Sequence, residues 1–306
     1  MKIAILGAGA MGSLFGAYLS RKHDVLLVCR RDSAANAILT EGLRLNENDG
    51  TASLYKTRAC TNTSDESPAD VVILFVKDMD SVSALSANRS LIGGNTLLLT
   101  LQNGGGHEKT LLSFADEQHV LLGVTQQGAA RLSDREIRHT GYGQTKIGSL
   151  SGSKETADMI AGMFNDCGLP AVSVTDIHQA VWEKLMTNAG ASALTGILQV
   201  TIDQIAAVPE SRELCETLVR EAVLAANADG CTFDADEEVQ KVLSVCENSV
   251  GGIPSICADI AAGRRTECEA ITGFVVRAGR LHGVPVPTHE AVLRLIHALE
   301  AKSAAL

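Results

Sequence analysis

Ile3-Ala4-Ile5-Leu6-Gly7-Ala8-Gly9-Ala10-Met11-Gly12 carries the strongest indication of the fold. Ile3 to Leu6 is a short, continuous apolar run closed by glycine, the pattern of a strand buried on both faces of a parallel sheet. Met11, Leu14, Phe15, Tyr18 and Leu19 then recur at helical spacing, and Asp24 to Val28 is a second apolar run ending in Cys29-Arg30-Arg31. The chain therefore opens on a βαβ unit with G-x-G-x-x-G between the first strand and the helix. In that frame Gly7 permits the tight turn, Gly9 lets a pyrophosphate approach the backbone, and Gly12 lets helix and strand pack closely, while Ala10 and Met11 bring helix N-terminal N–H groups to the phosphates. The motif alone is weak, because glycine turns are common. Its placement makes dinucleotide binding the expectation.

The end of the second strand carries the cofactor preference. An NAD site places Asp or Glu about 20 residues after the glycines to bond the ribose hydroxyls. This chain has Arg30 and Arg31 there, guanidiniums able to hold a 2′-phosphate by charge-assisted bonds, so NADP(H) is expected. Asp32 as a ribose ligand is the alternative that would restore NAD, and a solvated surface arginine pair is the ordinary one.

Outward from this unit, apolar runs at Val71 to Val76 and Thr96 to Leu101 continue the strand pattern, and the fold class read here is α/β with an N-terminal Rossmann-like doubly wound sheet. Between about residues 40 and 60, and again between 119 and 148, shorter alternating segments suggest antiparallel additions. His139-Thr140-Gly141-Tyr142-Gly143 reads as a turn between Glu136–Arg138 and Gln144–Ile147. After the strand-like Ala171 to Val174 the pattern is almost continuously helical. The expected division is a cofactor-binding domain over 1–174 and an all-α substrate domain over 175–306, close to the two domains that 306 residues allow.

The composition, 45% hydrophobic and 20% charged, excludes a disordered or low-complexity chain. A net charge of −10 provides no field for a polyanion, so neither nucleic acid nor an anionic membrane is an expected partner. The eight cysteines lack any C-x-x-C pair or His-Cys cluster, which fits reduced thiols in a cytoplasmic protein and neither a disulfide framework nor a metal site. The apolar run after Lys2 is broken by glycines and has no cleavage-like end, and no stretch reaches the ~18 apolar residues of a membrane span.

Two further places carry chemistry. Leu101-Gln102-Asn103-Gly104 sets Asn103 at the carboxyl end of a strand, where open α/β sheets bind ligands, although an Asn-Gly turn is the ordinary reading. Lys184, Asn188 and Ser192 fall at i, i+4 and i+8 of a helical stretch, so one polar face is expected on a mostly apolar helix.

The glycine loop, Lys77, Leu-Gln-Asn-Gly, His139-x-Gly-x-Gly and Trp182-x-Lys184-Leu185-x-x-Asn188 occur in the order and spacing of the ketopantoate reductase family. Pro254-Ser255, Ala262-Gly263-Arg264-Arg265-Thr266-Glu267 and the closing His282-Gly283-Val284-Pro285 do likewise, and the chain resembles that family over nearly its whole length. The resemblance implies NADPH-dependent reduction of a 2-keto acid to a 2-hydroxy acid, in the type reaction 2-dehydropantoate to pantoate on the route to coenzyme A. Hydride delivery to a ketone builds negative charge on oxygen, and the site needs a proton donor there. By resemblance that donor is Lys184, with Glu267, expected on a separate helix, engaging the substrate. Ser255 would contact the substrate carboxylate, Asn188 and Ser192 the substrate, and Asn103 both substrate and nicotinamide. Arg30 and Lys77 would serve the cofactor, and the protein would be a monomer or homodimer. Read locally, Glu267 is a solvated partner of Arg264 or Arg265, and Ser255 is a helix N-cap. The chain departs from the family pattern at Ser192, Thr272 and Gln126-Gln127, positions able to change which keto acid is preferred. A reductase of another 2-keto acid, an opine-type dehydrogenase and an NADP(H)-binding sensor without catalysis are the alternatives.

Overall fold

The computed structural model describes residues 1–305 and resolves them into two compact units, Met1–Gln102 with His107–Ile177, and Asn103–Gly106 with His178 onward. In the first unit, β1 (Lys2–Leu6), α1 (Ala10–Leu19) and β2 (Asp24–Val28) form the opening βαβ unit, β2 at the bounds of its apolar run and β1 starting one residue before the run at Ile3. There follow α2 (Asp32–Glu41), β3 (Leu43–Asn46), β4 (Ala52–Tyr55), β5 (Arg58–Cys60), β6 (Val71–Leu74), α3 (Ser81–Ala87), β7 (Leu97–Thr100) and α4 (His107–Leu112). β8 (Val120–Thr125), β9 (Gly128–Arg131), β10 (Glu136–Gly141), β11 (Thr145–Ser149), α5 (Lys154–Asp166) and β12 (Ala171–Ser173) complete it.

Eight strands form one sheet in the order β12-β11-β8-β7-β6-β1-β2-β5. β1 lies between β2 and β6 and pairs with both in parallel, so the glycine loop leaves β1 where the strand order reverses, the ligand-binding switch point of open α/β sheets. Ile3, Ile5, Leu27, Ile73 and Leu99 are fully buried in this unit's core, as strands covered on both faces require.

The expectation of antiparallel additions holds for β3–β4, β9–β10 and β8–β11, but β5 and β8 join the main sheet in parallel and β10 pairs with β3 in parallel. β4-β3-β10-β9 is a separate sheet. Its presence corrects the reading of residues 139–143. His139 lies inside β10 and is 2% exposed, and β10 and β11 belong to different sheets. Its Nδ1 is 2.9 Å from Glu47 Oε2 and its Nε2 is 2.7 Å from Gln127 Oε1, partners far away in sequence that no local pattern reveals.

The second unit is helical: α6 (Ile177–Thr187), α7 (Ala193–Leu198), α8 (Ile202–Ala207), α9 (Pro209–Ala228), α10 (Ala235–Asn248), α11 (Ser255–Ala261), α12 (Thr272–His282) and α13 (Pro287–Ala305). Trp182 anchors its core, fully buried, with Nε1 donating to Asp229 Oδ2 at 2.9 Å and its ring 4.9 Å from that of Phe274. All eight cysteines are free thiols, and among the described residues no helix is long and apolar enough to cross a membrane.

Candidate active site

The glycine loop distinguishes two reasons for a glycine. Gly7 has φ +104°, and a Cβ built on Gly12 would lie 1.9 Å from the Gly7 carbonyl oxygen, so both positions are fixed by the chain's own packing. A Cβ on Gly9 meets nothing within 4 Å, and its φ of −77° suits any residue. The fold therefore does not require glycine at 9, and the space that the missing side chain leaves, in front of a helix start without a side-chain cap, fits a phosphate held by the N–H groups of α1.

Beyond β2 the two arginines differ. Arg31 Nη2 bonds Asp134 Oδ1, whereas Arg30 is exposed and has no hydrogen-bond or ion-pair partner among the described residues. Asp32 opens α2, and its Oδ1 accepts a hydrogen bond from Thr61 Oγ1. Lys77 is half-buried, three residues past β6 and just ahead of a short 3-10 turn over Asp78–Asp80. These residues fit a dinucleotide carrying an additional phosphate on its adenosine ribose.

In the second unit Lys184 sits on α6, half-buried, and its Nζ donates to Asn103 Oδ1 at 2.8 Å. Gln102, the residue before Asn103, ties down the end of β7, its Nε2 donating to Val76 O at 2.7 Å and to Ser81 Oγ at 2.8 Å. Then Gly104, at φ +94°, lies so close to Ala270 that a Cβ would be 2.1 Å from its carbonyl oxygen. Gly105 N–H donates to that carbonyl at 2.9 Å, and the Phe274 ring packs on Gly105 where a side chain would stand. The run Gly104-Gly105-Gly106 is the sequence signal for this close approach.

Glu267 is in the loop between α11 and α12, not on a helix, and its backbone carbonyl accepts from Ala270 N–H at 3.1 Å, so one turn carries both the carboxylate and the carbonyl that seats Gly105. Arg264 is not its partner, because Arg264 Nε binds Asp259 Oδ1 at 2.9 Å. Burial pushes the Lys184 ammonium down to about 8, and the charge of Glu267 acts in the opposite direction. The structure thus brings Asn103, Lys184 and Glu267 together, with a lysine that can give up its proton near neutral pH.

The expected i, i+8 helical face is altered by a π turn over Asn188–Ser192, a feature often found at functional sites. Small residues permit it: Gly190 packs so closely on α9 that a Cβ would be 2.6 Å from Val219. Asn188 and Ser192 remain together, the Ser192 hydroxyl donating to Asn188 Oδ1 at 3.3 Å. Ser255 is the first residue of α11 and not its N-cap, which is Pro254. Ser255 is exposed, on a helix that packs against α7 and the π turn. Of the departures, Thr272 is fully buried at the start of α12, with a hydroxyl unpartnered among the described residues. Gln127 is committed to His139 and Gly143, which removes it from substrate reading, and Gln126 is exposed.

The family described as Ketopantoate reductase PanE/ApbA matches residues 3–152, and its C-terminal counterpart matches residues 176–300. The chain belongs to the ketopantoate reductase family. It is 30% identical over 298 residues to a 2-dehydropantoate 2-reductase of Halobacterium salinarum, covering 97% of this chain and 98% of that protein. To the 2-dehydropantoate 2-reductase of Bacillus subtilis it is 30% identical over 300 residues, covering 98% of each. Among solved structures, D-mandelate dehydrogenase with NADH and anilino(oxo)acetate superposes with a TM-score of 0.93 at 29% identity, covering 99% of both chains. A 2-dehydropantoate 2-reductase from Geobacter metallireducens gives 0.92 at 29% identity, covering 97% of this chain and 99% of that one.

Proposed function

We propose that this chain is an NADPH-dependent reductase of 2-keto acids whose substrate is 2-dehydropantoate, reduced to pantoate. The observation that carries the reading is the Lys184–Asn103 contact of 2.8 Å, on a lysine brought to about 8 beside Glu267, in a family whose full-length relatives bear that activity's name. NADPH, when bound, supplies the hydride to the keto carbon. As the carbonyl π pair moves onto oxygen, Lys184 Nζ donates a proton to it, and a hydroxyl results. The Asn103 amide oxygen fixes where Nζ points. The Glu267 carboxylate favours the charged amine, so the proton is available until it is needed. Ser255, Asn188 and Ser192 hold the substrate's carboxylate and hydroxyl groups. Gly7, Gly9, Ala10, Met11 and Gly12 hold the pyrophosphate, Arg30 the 2′-phosphate, and Lys77 and Asn103 the nicotinamide half.

The domains follow: residues 1–174 serve the cofactor and residues 175–306 the substrate, with Asn103 contributed from the first stretch. The protein acts in the cytoplasm as a monomer or homodimer. A second reading, reduction of an aromatic 2-keto acid instead, is favoured by the likeness to D-mandelate dehydrogenase. Lys184→Ala tests the role of the lysine. Turnover should fall by ~10²-fold or more with little change in NADPH affinity. Retained turnover would remove Lys184 from the role.

A further inference from the structure

The turn between β9 and β10 carries two arginines with different commitments. Arg135 binds Glu41 Oε2 at 2.8 Å, a private pair. Arg131, the last residue of β9, binds Asp134 Oδ1 through Nη2 at 2.5 Å, and Arg31 Nη2 binds that same oxygen. Ser33 Oγ donates to the other carboxylate oxygen at 3.2 Å. Two guanidiniums a hundred residues apart in sequence thus converge on one half-exposed carboxylate, just beyond the end of β2. Arg30, the residue before Arg31 in the chain, is exposed and has no partner among the described residues. Asp32, the other nearby carboxylate, is turned to Thr61.

Two guanidiniums on one carboxylate, with a third arginine adjacent in the chain, leave an excess of positive charge and of unsatisfied N–H donors. Guanidinium forks match a phosphate better than a single carboxylate oxygen, and an exposed carboxylate pair is a weak competitor. The position is held firmly. Arg131 Nε donates to Ser133 O at 2.9 Å, Arg131 pairs with Ile137 across the strands, and β9 packs on α1, the helix that follows the glycine loop.

We propose that Arg131 is a further cofactor-specificity residue, completing with Arg30 and Arg31 a seat for the 2′-phosphate monoester of NADP(H), and that Asp134 is an internal anion which that phosphate displaces. The inference rests on the NADP(H) reading given above. Asp134 tunes the preference: it holds Arg31 and Arg131 in place at rest and weakens, by competition, the affinity of the phosphate.

Calorimetric titration of the full chain with adenosine 2′,5′-bisphosphate and with AMP, which lacks only the 2′-phosphate, tests this without turnover. Arg131→Gln should weaken the bisphosphate about tenfold and leave AMP unchanged, since a charge-assisted bond of this kind is worth about that factor. Arg131→Lys should recover part of the loss, and Asp134→Asn should tighten the bisphosphate ~2–5-fold, the range of an exposed ion pair. If Arg30→Ala lowers bisphosphate affinity selectively while Arg131→Gln leaves the ratio unchanged, or lowers both ligands equally, the proposal is overturned and the NADP(H) reading stands. Weaker bisphosphate binding in Asp134→Asn would overturn the displacement. A parent protein with no preference for the bisphosphate would refute the NADP(H) reading itself.

Discussion

Lys184, the proposed proton donor, has a distinctive titration. Burial holds Lys184 at about 8, well below the 10.5 of a free lysine, with the charge of Glu267 acting against it. Reduction needs the ammonium, so kcat/KM should be level through neutral pH and fall tenfold per unit above about pH 8. At pH 7 about nine-tenths of the amine is protonated, and at pH 9 just under one-tenth, which makes the expected loss between those points about tenfold. A lysine titrating at its free value would lose only a few per cent over the same interval. The assay is the decay of NADPH absorbance at low 2-keto acid concentration in buffers of constant ionic strength from pH 6 to 10. The Glu267→Gln variant is run in parallel. Removing that carboxylate removes the influence that opposes burial, so the alkaline limb must move to lower pH, along with a fall in kcat. A profile level to pH 10 would remove Lys184 as the titrating acid, and so would a limb that moves to higher pH in Glu267→Gln.

The glycines separate ligand from fold. Gly9→Ala should leave the melting temperature unchanged and weaken NADPH, because its Cβ would meet no protein atom, whereas Gly12→Ala, 1.9 Å from a carbonyl oxygen, should destabilise the fold in thermal melts. Gly104→Ala, strained at φ +94° and pressed into Ala270, should displace Asn103 and lower kcat by ~10-fold or more with NADPH affinity kept, as seen by comparing steady-state rates with fluorescence titration. The folded chain releases the Lys184 proton at about 8 and the unfolded chain only near 10.5. Stability therefore rises with pH across that window in the parent, and urea melts of Lys184→Met should lack this component.

What the sequence made legible follows the range of each interaction. β1, α1 and β2 were readable because a buried strand and a glycine-opened helix are local patterns. Asn103 and Lys184 were readable as residues but not as a pair. Their contact depends on Gly104 meeting a carbonyl more than 160 residues away in the chain. The π turn at Asn188–Ser192 is invisible to a 3.6-residue period, and His139 looks like a turn residue because its partners Glu47 and Gln127 come from distant parts of the chain. Arg131 is hidden for the same reason. Nothing near it in sequence says that it shares a carboxylate with Arg31.

The decisive measurement is the rate of NADPH oxidation with 2-dehydropantoate, taken beside NADH and a panel of aliphatic and aromatic 2-keto acids that includes phenylglyoxylate. The expected result is a kcat/KM of ~10⁴ M⁻¹s⁻¹ or better on 2-dehydropantoate with NADPH, the low end of ordinary enzymes, and weaker turnover elsewhere in the panel. A higher kcat/KM on phenylglyoxylate, or with NADH, would contradict the assignment of substrate or cofactor, and no turnover on any 2-keto acid would contradict the reaction.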